Sequence, residues 1–134
     1  MATHEYSVKT QGNTKISKHF RVREFACKDG TDSVMISSEL VWTLEKIREH
    51  FNSPVIINSA YRTPTHNKAV GGSPSSRHLL GQAADIVVKD VPPSTVYAFC
   101  SSLLTTGGVG KYDTFTHVDV RKRKKSRWDY TKKK

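Results

Sequence analysis

The chain has 134 residues, 36% of them hydrophobic and 25% charged, with a formal net charge of +10 and two cysteines. That length suits one domain with one core, and the apolar content excludes a disordered chain. No apolar run approaches the roughly 18 residues of a membrane span. The polar first residues lack the apolar stretch of a secretory signal. The protein is therefore expected to be made in the cytoplasm, and any action outside it would need a release other than by a signal peptide.

Residues 1–14 read as a loose N-terminal arm. Between 15 and 34, Ile16, Phe20, Val22 and Phe25 are mixed with charge, which predicts an irregular segment with a short helix at Val22–Phe25. Leu40, Val41, Leu44, Ile47 and Phe51 recur at three- and four-residue steps and predict an amphipathic helix over 38–51. Ser37 or Ser38 can cap it, and Asn52-Ser53-Pro54 ends it. Val55-Ile56-Ile57 predicts a short buried strand. Residues 61–82, rich in glycine, proline and serine, read as a long loop with one helical turn near His66–Val70. Long loops in small domains often carry function.

Ala83–Val88 predicts another strand, Pro92-Pro93 opens a second helix, and Val109 and Phe115–Val120 are strand material around a turn at 111–114. The order predicts a small single α+β domain over 15–121, a mostly antiparallel sheet with helices on one side. Residues 122–134 form a basic C-terminal tail that suits a polyanionic partner, an anionic wall polymer being one candidate. Without an aromatic-interleaved motif or recognition helix, nucleic acid is an unlikely partner. Cys27 and Cys100 read as free core thiols, and neither has the spacing of a structural zinc site.

The densest chemistry lies in Ser76-Arg77-His78 through Ala83-Ala84-Asp85 and in Phe115-Thr116-His117-Val118-Asp119. Gly81 and the small alanines let the chain fold back so that His78 and Asp85 reach one point. His117 and Asp119, two apart, share a strand face. Two imidazoles and a carboxylate can hold a zinc ion and leave a fourth position open, and an open zinc is a tool for amide hydrolysis. His4, His19, His50 and His66 lack comparable neighbours in the sequence.

The spacing Ser76-x-His78-x-x-Gly81-x-Ala83-x-Asp85 resembles the signature of the M15 family of zinc peptidases, which includes D-alanyl-D-alanine carboxypeptidases and peptidoglycan endopeptidases. Ser59-Ala60-Tyr61-Arg62-Thr63-Pro64 with Asn67 resembles an upstream segment of that family, and Phe115–Arg121 its closing strand. Phe20, Glu24, Phe25, Cys27, Asp29 and Gly30 resemble the opening of a branch common in bacteriophage genomes. The likeness spans roughly residues 15–121.

This resemblance implies the M15 or hedgehog-like fold, one zinc per chain, and His78, Asp85 and His117 as its ligands. It implies that Ser76 supports the first ligand's loop beside the substrate, and that Arg62 binds substrate and stabilises an oxyanion, a role suited to a fixed guanidinium. A structural ion pair is the alternative for Arg62. The general base is expected to be an acid. The position three before the last histidine, acidic in many relatives, is Thr114 here, which leaves Asp113, with Asp119 as rival. Asp119 also suits the task of fixing a ligand ring or binding Arg121. The implied activity is hydrolysis of peptidoglycan stem peptides in an endolysin-like role. The rival reading is a zinc-containing wall-binding or structural module of a phage particle that has lost turnover.

Overall fold

The computed structural model describes residues 2–132. Strand β1 (Thr3–Ser7) runs antiparallel to β2 (Ser33–Ser37) as a separate two-stranded sheet, with the single turn α1 (Val8–Gln11) between them. The predicted short helix at Val22–Phe25 forms as a 3-10 turn that buries Val22 and Phe25. Helix α2 (Ser38–Phe51) follows β2 directly. The Ser37 hydroxyl accepts the Leu40 N–H at its start, and Asn52 closes it in the left-handed conformation at φ 49°. Its buried face is Leu40, Val41, Leu44 and Ile47. Enclosing a side chain such as Leu44 contributes about 1.5–3 kcal/mol of transfer free energy.

The main sheet contains β3 (Val55–Ser59), β4 (Ala83–Val88), β5 (Gly107–Lys111), β6 (Thr116–Asp119) and β7 (Lys125–Asp129), in the order β3-β4-β6-β5-β7. Every pairing is antiparallel except β5 with β7. Helix α3 (Pro64–Ala69) and a 3-10 turn (Arg77–Leu80) lie in the long loop, and α4 (Pro93–Leu103) joins β4 to β5. Helices α2 and α4 cover one sheet face and meet where the His50 and Phe99 rings stack 3.8 Å apart.

Two expected boundaries give way. Part of the N-terminal arm (1–14) is strand β1, tied to β2 by five paired residues. Part of the basic tail (122–134) is β7, held beside β5 by the Arg127 guanidinium, which donates to the carbonyls of Ser101, Leu104, Gly107 and Ser126 and to the Ser101 hydroxyl. Burying backbone acceptors obliges the chain to supply donors, and this arginine supplies them. The distal residues 133–134 lie outside the described residues. Among the described residues no helix is long and apolar enough to cross a membrane.

Strand alternation divides the labour. Ala84, Ile86 and Val88 of β4, Val109 of β5 and Val118 of β6 join the core with the helices. Their neighbours Asp85, His117 and Asp119 therefore face the opposite side of the sheet.

Candidate metal centre

Register brings the polar residues of that second face together. Asp85 pairs with His117 across β4 and β6, and Asp119 pairs with Ala83 on one side and Gly108 on the other. Glycine at 108 and 110 of β5 is a spatial requirement. A Cβ at Gly108 would lie 2.3 Å from the Asp119 carboxylate, and one at Gly110 would lie 2.3 Å from the Trp128 indole nitrogen. His78 arrives from the loop, on the 3-10 turn capped by Ser76, whose hydroxyl accepts the His78 N–H. Gly81 ends that turn at φ 70°, returning the chain to β4.

His78, Asp85 and His117 each offer one donor atom, and these atoms lie within 4.8 Å of one another. Hydrogen-bond partners assign the two rings. The Nδ1 of His78 is 2.6 Å from the Ala60 carbonyl oxygen, which can only accept, so Nδ1 carries the proton and Nε2 presents a lone pair 3.3 Å from Asp85 Oδ1. In His117 the arrangement is reversed. Nε2 lies 2.8 Å from Asp119 Oδ2 and Nδ1 lies 2.9 Å from Asp85 Oδ1. The atoms available to an ion are therefore Nε2 of His78, Nδ1 of His117 and a carboxylate oxygen of Asp85. Two neutral imidazoles and one carboxylate, each with its outer atom anchored, fit a zinc ion that keeps a position open toward the cleft.

Asp119 is wholly enclosed. Its oxygens accept from Nε and Nη2 of Arg121 at 2.8 and 2.7 Å and from the Gly108 N–H at 3.0 Å. Burial pushes its carboxyl pKa up, but the bonds from Arg121 and His117 outweigh burial and hold it well below the usual range. Burial likewise raises Asp85, and the two histidines more than offset it. For His117, burial favours the neutral ring, and the carboxylates of Asp119 and Asp85 overcome it to raise the pKa.

Arg62 stands beside the cluster. Its Nη2 is 3.4 Å from Asp85 Oδ2, Nε donates to the Ser59 hydroxyl at 3.2 Å, and Nη1 donates to the Asn67 side-chain oxygen at 3.1 Å. Arg62 is thus ion-paired, and it also lines the cleft with Ser76, His78, Asp85 and His117.

Asp113 is not brought to the cluster. Lys111 pairs with Thr116 in the β5–β6 hairpin, and Tyr112 N–H donates to the Phe115 carbonyl, so Asp113 sits at the exposed outer end of a tight turn. Its carboxylate accepts the backbone N–H of Lys132 at 3.2 and 3.3 Å. Two residues that the sequence reading passed over do line the cleft, Tyr112 and Trp128. Trp128 lies 5.1 Å from the His117 ring and donates its indole N–H to the Tyr112 hydroxyl at 3.0 Å. An indole N–H can only donate, so the Tyr112 O–H proton is free to point elsewhere. The signal for Tyr112 was an aromatic residue in the turn just before the His117 strand, and for Trp128 an aromatic residue in a segment otherwise crowded with lysine and arginine.

A three-donor zinc centre on one sheet face, with a fixed guanidinium beside it, defines the metallopeptidase class of site. Residues 17–119 match the family described as Peptidase M15, and the chain belongs to that family, whose cofactor is zinc. The zinc D-Ala-D-Ala carboxypeptidase of Streptomyces albus G is 38% identical over 47 residues, which are 34% of this chain and 18% of that protein. The matched stretch is thus under a fifth of that relative's length.

Proposed function

We propose that this protein hydrolyses amide bonds in the peptide stems of peptidoglycan, as a D-Ala-D-Ala carboxypeptidase or an endopeptidase. The observation that carries this reading is the convergence of Nε2 of His78, Nδ1 of His117 and the Asp85 carboxylate beside Arg62 on an open cleft. Zinc, when bound, supplies a Lewis acid that polarises a carbonyl and acidifies water. Asp119 and the Ala60 carbonyl keep the two imidazoles in the tautomers that face the ion. Arg62, held by Ser59, Asn67 and Asp85, presents fixed positive charge to the oxygen that becomes negative as the carbonyl is attacked. Tyr112 offers a second donor to that oxygen. The basic surface around Arg77, Arg121 and Lys124 favours an anionic wall substrate. Action from outside, after lysis or from a virion, belongs to this same proposal.

One observation favours a second reading, a zinc-containing wall-binding module. Among the described residues Asp85 is the one carboxylate lining the cleft, and it faces the imidazoles. Purified wild type and His78→Ala decide between the readings. Zinc near one per chain at this centre with release of D-alanine or new amines from peptidoglycan, both lost in the variant, supports the peptidase. Zinc without product, together with sedimentation on peptidoglycan, supports the binding module.

A further inference from the structure

We propose that Cys27, Asp29 and His66 form a second divalent-metal site, suited to a borderline-soft ion of the zinc class, which fastens the loop after the Val22–Phe25 turn to helix α3. The Cys27 sulfur, an Asp29 carboxylate oxygen and a ring nitrogen of His66 lie within 4.8 Å of one another. The residues come from two segments that the sequence separates by more than thirty positions, so the fold, and not a short motif, creates the group. One residue, Thr63, contacts all three. The backbone N–H of Thr63 donates to the Cys27 sulfur at 3.5 Å, the Thr63 hydroxyl donates to Asp29 Oδ2 at 2.9 Å, and the Thr63 hydroxyl oxygen accepts the His66 backbone N–H at 3.1 Å. The contacts on the Cys27 sulfur and the Asp29 carboxylate are outer partners of the kind that orient metal ligands.

Charge and chemistry agree with the geometry. Among the described residues no lysine or arginine pairs with Asp29, although the chain carries 22 such cations against 12 acids. Thiolate, carboxylate and neutral imidazole balance a divalent ion, and a sulfur-nitrogen-oxygen set suits zinc better than calcium or magnesium. Cys27 is buried, Asp29 is exposed and His66 is half-buried, so an ion can reach the group from the Asp29 side. The fastening acts close to the primary centre, because Thr63 follows Arg62 in the chain and caps the helix that carries Asn67.

Cobalt(II) added to the metal-free full chain tests this, because only the second group contains a thiolate. Wild type is expected to bind two ions per chain and to develop a near-ultraviolet thiolate-to-cobalt charge-transfer band. His78→Ala should lose one ion and keep the band. Cys27→Ser should lose the band and one ion, and His66→Ala should weaken that uptake by at least about tenfold. If Cys27→Ser fails to fold, His66→Ala, at a half-buried helix position, makes the same comparison. One ion per chain with no thiolate band in folded wild type would overturn the proposal, as would a band unchanged by Cys27→Ser. The readout does not involve hydrolysis, so its failure leaves the peptidase reading untouched.

Discussion

Asp119 sets the orientation of His117: the 2.8 Å contact between its Oδ2 and His117 Nε2 turns Nδ1 toward Asp85. The carboxylate can do this because Arg121 and the Gly108 N–H hold it ionised in a buried position. Asp119→Asn keeps the size but removes the charge and can present an N–H where the ring needs an acceptor. Zinc affinity is expected to fall about 10–100-fold, the usual effect of losing such an outer partner. Competition with a chromogenic chelator measures it. Unchanged affinity would mean that the contact does not govern the ring.

Arg62→Lys should leave zinc content near wild type, since Arg62 offers no metal-binding atom. The guanidinium reaches Ser59, Asn67 and Asp85 through three different nitrogens, a fork that an ammonium cannot reproduce. If Arg62 stabilises the oxyanion, kcat should fall about 10²–10³-fold. Steady-state release of D-alanine, with zinc content measured on the same samples, separates this outcome from simple metal loss.

Asp113→Asn is expected to change kcat/KM by less than about tenfold, because its carboxylate is bound to the Lys132 amide at the outer end of the hairpin. A positioned general base contributes about 10²–10⁴-fold, so a loss of that size would show that the Tyr112–Phe115 turn rearranges when substrate binds.

This contrast shows what the sequence can and cannot convey. Helix α2 was legible to its ends because its apolar spacing, its serine cap and Asn52-Ser53-Pro54 are all local signals. The triad His78, Asp85 and His117 was legible because glycine and alanine between the first two and alternation around the third constrain direction as well as position. Asp113 was placed by spacing alone, and spacing does not say which way a turn faces. Strand β1, exposed at Thr3, His4 and Glu5, has no buried alternation to reveal it and exists by pairing with β2. Strand β7 was hidden by its charge, which is disfavoured in strands until a tertiary partner overrides propensity.

Arg127 is that tertiary device, and its removal should be costly for a residue in a basic tail. Arg127→Met retains much of the aliphatic stem but strands the Leu104 and Gly107 carbonyls, each now served at 2.7–2.8 Å. An acceptor left unpaired in a half-buried setting costs about 1–3 kcal/mol. A lower urea midpoint with an unchanged m value is expected, whereas Lys132→Met at the exposed end of the tail should have no measurable effect. Equal midpoints for the two variants would return β7 to the status of a solvated tail.

Acid should expose a different tie. Burial alone would raise the Glu45 pKa, but the Ser17 hydroxyl and the N–H and Nδ1 of His19 outweigh it and hold the carboxyl below its ordinary value. A carboxyl depressed in the folded state takes up its proton more readily when unfolded. Its contribution to stability is therefore complete above the unfolded pKa of about 4.3 and is lost as the pH falls through the lower folded value. Glu45→Gln should consequently be less stable than wild type near neutrality, and the gap should narrow below about pH 4. Contributions shared by both proteins, including protonation of the metal ligands, subtract out of that difference. Urea midpoints of the pair across the acid range measure it, and a gap that stays constant with pH would show that Glu45 acts by packing instead of charge.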